Sequence, residues 1–443
     1  MTITCGTATD LGKEDGGIRG RKLEVTNGQK RKKEEKVMKK SYSILTVLLI
    51  TVMAFGLAGA QTSPSIIKVG ISVPLSGPAG PWGTVPIPAY EAWVELFNKD
   101  GGFKVGNETY NFQLVFTDDK NSPEGGAAAA KKLIYEDKVK FIAGHWSWNF
   151  PSVSAVANQA KVIYLGRTGN EAVPGGVYDP KKQPYTVFAN PSLEEFVSDI
   201  HAIVEAFPNY KRIGISDSNL GKGLGWDYLD RDLDKAKIRY HHEWYPPGTQ
   251  DYTPYITRFN EAGCDIIYGG GDVLAAMMIA KQRWEMGFKT WKTGTSGAVL
   301  DPMMYINVSG MEASQGLMGQ YFGIWDFKKT KVDPKRIQRV KDAMEIVSKK
   351  QGKPYTYTGW VGWLPHHLEI LAQAMEKAGT VDNPDAIMKV IRGGTFDTTL
   401  GKFTMSGAKT YGSPIVFGTP GAMSQIQGTK EVYLSEHPLT HLP

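Results

Sequence analysis

From Ile66 onward, short β-rich runs alternate with helical stretches, and this alternation restricts the fold more than any other feature of the chain. Ile66–Val73 (IIKVGISV) reads as a strand ending at Pro74. In Pro86–Asn98, Tyr90, Trp93, Val94 and Phe97 recur at i, i+3, i+4 and i+7, one apolar face of a helix that Gly101-Gly102 stops. Strand Asn111–Thr117, Ala-rich helix Pro123–Tyr135, strand Phe141–Gly144, helix Pro151–Ala160 and strand Val162–Leu165 follow. Beyond Pro184 comes a second series: strand Arg212–Ser216, helix Gly223–Lys237, strand Ile238–Tyr245, helix Tyr252–Ala262, strand Asp265–Gly269 and helix Asp272–Met286. Two runs of β-α units predict an α/β fold with two doubly wound parallel sheets covered by helices. Later, Pro334–Lys350 predicts a long helix. Leu364, Leu368, Leu371, Ala372 and Met375 mark the buried face of another, ended by Gly379.

Upstream, Lys39-Lys40, the apolar run Ile44–Leu57 and Ala58-Gly59-Ala60 have the order of a secretory signal peptide. The run has 14 residues, short of the roughly 20 needed to span a bilayer. Residues 38–60 are therefore expected to be a signal peptide cleaved near Ala60, and the remainder to act in the periplasm. Residues 1–37 are polar and aperiodic. They are expected to be a non-native N-terminal extension, with Met38 as the true start.

Residues 1–60 carry 11 of the 51 Lys and Arg and 6 of the 45 Asp and Glu, leaving 40 basic against 39 acidic side chains in the other 383 residues. That length suits two lobes. Near-neutral charge gives no electrostatic case for nucleic acid or an anionic membrane. Of Cys5 and Cys264 only the second lies beyond the leader, so no internal disulfide is expected. No cysteine follows the apolar run to take a lipid.

Catalytic patterns are missing from the sequence. Gly221–Gly225 (GKGLG) lacks the spacing of a phosphate-binding loop. His366-His367-x-Glu369 is not a zinc-binding HExxH, no GxSxG elbow occurs, and His241-His242 on a strand point to opposite faces. Asp118-Asp119 close a strand before a helix and are expected to cap it. The expectation is no enzyme, no cofactor and no metal.

In doubly wound sheets, ligands sit beyond the carboxyl ends of the strands, where helix N-termini offer free N–H groups. Three turns of that kind carry aromatic or polar residues: Pro74–Gly83 (PLSGPAGPWG) with Trp82; Gly144–Pro151 (GHWSWNFP) with Ser147 and Trp148; and Gly166–Asn170 (GRTGN), followed by Glu171.

The chain resembles periplasmic solute-binding proteins of the branched-chain amino acid (leucine/isoleucine/valine-binding) class of ABC importers. The resemblance rests on Ile67–Gly83, Asn98–Gly102 (NKDGG), Asp118–Ala130 (DDKNSPEGGAAAA), Lys138–Gly144 and Gly221–Leu224. Trp360–Gly379 and Phe396–Met405 add to it, in an order spanning about Ile66 to Gly418. The resemblance implies the type I periplasmic binding fold, two α/β lobes joined by a three-crossover hinge that closes on a ligand. Lobe 1 is expected at 66–190 plus 321–398, and lobe 2 at 191–320 plus 399–443.

Carried over residue by residue, the resemblance implies a pocket of Trp82, Ser147, Trp148, Gly169, Glu171, Leu220, Asp272, Ser296 and Tyr355. Asn170 is an alternative polar contact beside Glu171. Trp82 and Tyr355 match aromatic walls, and Ser147 a backbone contact. Members that bind α-amino acids have hydroxyl residues at Trp148 and Glu171, Tyr at Leu220 and Asp272, and Glu at Ser296. Glu171 beside a ligand carboxylate repels it, whereas Trp82, Trp148 and Tyr355 with Glu171 and Asp272 suit an aromatic or apolar solute carrying an amine. The expected function is capture of a small solute (amino acid, amide, aromatic acid or amine) by a monomer that delivers it to an inner-membrane ABC permease. The alternative is a ligand sensor of the same fold without a transport role.

Overall fold

The computed structural model describes residues 31, 35–38, 63–77, 79–144, 149–168, 178–219, 227–269, 273–298, 302–320, 331–355, 361–418 and 421–437. The expectations for the signal peptide lie almost wholly outside them. By chain compactness, residues 1–63 and 64–443 form separate units, and the second is treated below.

Strand Ser65–Val73 (β1) is buried along most of its length because it has neighbours on both edges and helices on both faces. After it come helices Gly80–Thr84 (α1) and Ile87–Lys99 (α2). In α2 the face forecast by spacing is the buried one: Tyr90, Trp93 and Val94 are inside, and Trp93 stacks on Phe97 at 5.1 Å. Gly102 ends the helix with a positive φ of 60°, where a Cβ would lie 2.1 Å from the Tyr110 carbonyl oxygen. The edge strand Phe103–Val105 (β2) then turns antiparallel into Glu108–Asp118 (β3). Helix Pro123–Lys131 (α3) winds on as a π-helical turn over Lys132–Glu136. Strand Phe141–Gly144 (β4), helix Phe150–Gln159 (α4), and strands Ile163–Thr168 (β5) and Thr186–Pro191 (β6) complete a sheet in the order β2-β3-β1-β4-β5-β6, parallel except for β2.

The chain next forms helix Ser192–Ala206 (α5), strand Ile213–Ser218 (β7), helix Asp227–Lys235 (α6) and strand Tyr240–Tyr245 (β8). Helix Thr253–Glu261 (α7), strand Ile266–Gly269 (β9), helix Val273–Glu285 (α8) and strand Lys292–Ala298 (β10) follow. Helices Pro302–Ser309 (α9) and Met311–Ser314 (α10) lead to strand Met318–Gln320 (β11). After helices Pro334–Gln351 (α11), Trp363–Ala378 (α12) and Pro384–Ile391 (α13) there is an antiparallel hairpin, Thr395–Thr398 (β12) and Gly401–Thr404 (β13), and a short helix Ala408–Tyr411 (α14). Strands Gly421–Gln427 (β14) and Lys430–His437 (β15) are antiparallel additions to the second sheet, ordered β15-β14-β11-β10-β9-β7-β8.

One hydrophobic core gathers Ile67 to Ala189 with Val340 to Phe417; the second sheet has its own, including Val197, Ile215, Tyr268, Met318 and Met423. The chain therefore passes between cores near residue 191, between 320 and 340, and again near 418. The last crossing corrects the expected boundary at 398/399. Leu400, Met405, Tyr411, Ile415, Val416 and Phe417 are all buried in the first core. The reason is the open edge of β6: the Phe188 N–H donates to the Ile415 carbonyl (2.9 Å) and the Phe417 N–H to the Phe188 carbonyl (2.8 Å), satisfying groups an edge strand leaves bare.

Candidate functional site

In the first sheet the connection from β1 runs outward to β3, and the connection from β3 crosses back to β4 on the other side of β1. The order reverses between β1 and β4, so the crevice of this sheet opens beyond Val73 and Gly144. In the second sheet the same reversal falls between β7 and β9, beyond Ser218 and Gly269. Candidate residues follow these strand ends. Trp82 sits in α1, with its side chain outside the described residues. Ser147 and Trp148 follow β4, Gly169, Asn170 and Glu171 follow β5, Leu220 follows β7, and Asp272 follows β9; all seven lie outside the described residues. Ser296 is on β10, close to its end at Ala298, and its side chain is likewise undescribed. The backbone register brings the ends of β1, β4 and β5 side by side, with Ser72 opposite Gly144 and Gly144 opposite Gly166.

Tyr355 is fully described. It is buried, its N–H donates to Ser348 Oγ (2.9 Å), and its hydroxyl donates to the Val85 carbonyl (3.1 Å). That contact seats its ring against the residue that follows α1, the helix of Trp82. Burial pushes the phenol up, so the hydroxyl stays a neutral donor.

The turns are held by residues that sequence reasoning assigned differently. Asp118 accepts from Leu75 N–H (2.8 Å), Ser76 Oγ (2.6 Å) and Lys120 N–H (2.9 Å), fixing the turn that leads to α1. Burial alone raises its carboxyl, but the bonds from Ser76, Leu75 and Lys120 outweigh this and hold it below the usual range. Asp119, fully buried, accepts from Ser72 Oγ (3.1 Å), Asn149 Nδ2 (2.5 Å) and Asn121 N–H (2.9 Å), and burial pushes it up. Asn149 directly follows Trp148 and stands at the start of α4. The pair thus clips two candidate ligand turns to the sheet and does not cap α3. Ser122 caps it, accepting from Gly125 N–H at 3.0 Å. The signal for this was Ser122-Pro123, a cap residue before a proline in the first turn. Gly83 is needed in the first turn because a Cβ there would lie 1.9 Å from the Pro74 carbonyl oxygen.

In the second sheet, His241 and His242 do face opposite sides. His241 meets Glu243 (2.8 Å) and the edge of Phe259, whereas His242 lies between Asp217 (2.9 Å) and Asp230 (2.8 Å) and stacks on Trp244 at 4.4 Å. Burial alone would lower the imidazolium, but hydrogen bonds to Asp217 and Asp230 and their charges push it up to about 9. Burial pushes Asp217 up while His242 pulls it down. With a carboxylate on each side of the ring, the shared proton resides on the imidazole. Glu369 is equally buried but serves packing: it accepts from Arg336 (2.6 Å) and the Thr399 hydroxyl (3.0 Å), joining α11, α12 and the end of β12. Among the described residues no cluster of His, Cys, Asp and Glu is arranged to hold a metal, and no helix is long and apolar enough to cross a membrane.

The model for the periplasmic binding protein family matches residues 66–416. The chain belongs to this family. It is similar to Leu/Ile/Val-binding protein homolog 3 of Brucella melitensis, with 25% identity over 84% of this chain and 96% of the relative. A leucine-, isoleucine-, valine-, threonine- and alanine-binding protein of Pseudomonas aeruginosa is 21% identical over 82% of this chain and 92% of its own length. Among solved structures, a leucine-binding protein from Thermotoga maritima superposes with a TM-score of 0.65 at 15% identity, covering 84% of this chain and 99% of that one. A Rhodopseudomonas palustris solute-binding protein in complex with 4-hydroxybenzoate gives 0.65 at 19%, covering 84% and 96%. The fold is the type I periplasmic binding architecture.

Proposed function

We propose that this protein captures a small, partly apolar or aromatic solute between two lobes in the periplasm and delivers it to the permease of an ABC importer. The lobes are residues 64–191 with 331–417, and 192–320 with 421–437. The observation that carries the reading is the agreement between topology and sequence: the order reversals of both sheets adjoin the loops that hold the candidate ligand residues. A ligand touching loops of both lobes favours the closed form by the free energy of those contacts. Trp82, Trp148 and the ring of Tyr355 favour stacking on a flat or apolar body, and Glu171 and Asp272 favour a cationic group over a carboxylate near them. A relative is named for binding leucine, isoleucine, valine, threonine and alanine, and a solved structure of the same fold holds 4-hydroxybenzoate. Residues 38–60 direct export and are removed near Ala60, which N-terminal sequencing of the periplasmic protein checks.

The test is a thermal-shift screen of the mature protein against amino acids, amides, aromatic acids and amines. A true ligand at a hundred-fold excess over Kd adds about 2.7 kcal/mol of stability. With that ligand, Trp82→Ala weakens binding at least about tenfold, or 1.4 kcal/mol. Unchanged affinity removes Trp82 from the site. Silence across all four classes removes the function.

A further inference from the structure

A second cavity lies at the opposite end of the second sheet from its order reversal. Lys292 and Thr293 open β10 there, about a strand length, roughly 20 Å, from the carboxyl ends of the strands. Its volume is about 370 Å³, within the range of small-molecule sites. Its walls include Arg283, Trp284, Lys289, Trp291, Lys292 and Thr293.

Arg283 is the unusual member. It is 2% exposed, yet no carboxylate pairs with it among the described residues. Its guanidinium donates from Nη1 to the Phe288 carbonyl (3.0 Å) and from Nη2 to the Ala313 carbonyl (3.1 Å), and the buried Nε–H has no acceptor. Burial lowers its ordinary value to about 10, a sign that nothing anionic offsets the lost water. A buried charge held only by carbonyl dipoles is costly. Thr293, 4% exposed, also lines the cavity, and its hydroxyl is a second buried polar group without a partner. At the mouth Lys289 and Lys292 are exposed cations, against a single acid among the described lining residues, Glu312. Trp284, Trp291 and Phe207 supply flat apolar wall, beside the polar Gln315 and Gln425: Trp291 stacks on Phe288 at 4.3 Å, and Lys289 lies over the Trp284 ring at 5.2 Å.

We propose that this cavity is a second ligand site, separate from the cleft, for a small organic carboxylate. Its charge answers Arg283, Lys289 and Lys292, and its apolar body lies against Trp284 and Trp291. The inference does not depend on the identity of the cleft ligand.

The test is ¹⁹F NMR of the mature protein labelled with 5-fluorotryptophan, with Trp284 and Trp291 assigned by Trp→Phe replacement. The probe is benzoate at constant ionic strength, with benzamide and inorganic phosphate as comparisons. Benzoate should shift both resonances saturably. Affinity should fall at least about tenfold for benzamide, for phosphate, and in the exposed double variant Lys289→Glu/Lys292→Glu, whose fold is checked by its unchanged melting. Resonances that stay still, or shifts confined to Trp82 and Trp148, overturn the site. Equal response to benzamide overturns the role of charge, and equal response to phosphate overturns the organic ligand.

Discussion

Replacing Asp119 by Ala should loosen the turn on which Ser147 and Trp148 sit. The carboxylate accepts three hydrogen bonds, from Ser72 Oγ, Asn149 Nδ2 and Asn121 N–H, at 2.5–3.1 Å. Bonds to a charged acceptor contribute about 1.5–3 kcal/mol each, and donors left buried without a partner cost a similar amount. Against this, the variant no longer buries a carboxylate, whose desolvation is visible in its raised titration, and the Ser72 hydroxyl can turn elsewhere. The net expectation is a loss of about 2–4 kcal/mol, or roughly 2–5 °C in Tm for a unit of this length. Urea denaturation followed by circular dichroism measures the loss. Amide exchange should quicken first at Phe150–Val153, the turn that Asn149 opens. Asp119→Asn keeps the shape and one acceptor and should cost about 1 kcal/mol. A loss below about 0.5 kcal/mol for the alanine variant, the level of a surface change, would show that Asp119 does not anchor the turn.

Two further variants separate positioning from packing. His242, pushed up to about 9 from an ordinary 6.5, contributes stability that is fully present below pH 6.5 and is lost as the pH rises through 9. The stability difference between wild type and His242→Gln should therefore shrink by up to about 3 kcal/mol across that window. A constant difference from pH 6 to 10 refutes the two-carboxylate account. Tyr355→Phe removes the bond to Val85 and should cost about 1 kcal/mol of stability, with ligand affinity changed by less than about threefold because the ring remains; a tenfold loss would mean that the hydroxyl contacts the ligand.

Strands and helices with strong periodicity were legible because burial acts on one residue at a time. The strand expected at Phe141–Gly144 has those bounds, and the Tyr90-Trp93-Val94 face is the buried one. Pairings made by distant segments were not. The stretch Ser413–Phe417 is a short apolar run between prolines and glycines, and only the bare edge of β6 draws it into the first core. The antiparallel strands β14 and β15 take their place from the edge of β11, which no local pattern records. At the site, β-α alternation alone points to the turns after β1, β4 and β5 that carry Trp82, Ser147 with Trp148, and Gly169 to Glu171, whereas Leu220, Asp272 and Ser296 come only from the family resemblance. Asp118 and Asp119 read as caps in the sequence because their partners are distant: Leu75 and Ser76 stand 43 and 42 residues from Asp118, and Ser72 and Asn149 stand 47 and 30 residues from Asp119.

The most direct measurement is a crystal structure of the mature protein with a ligand from the thermal-shift screen. The account predicts one solute enclosed between the lobes, in van der Waals contact with Trp82 and Trp148 on one side and with residues 219–226 or 270–272 on the other. A solute that touches a single lobe, or that lies away from all three aromatic side chains, contradicts it.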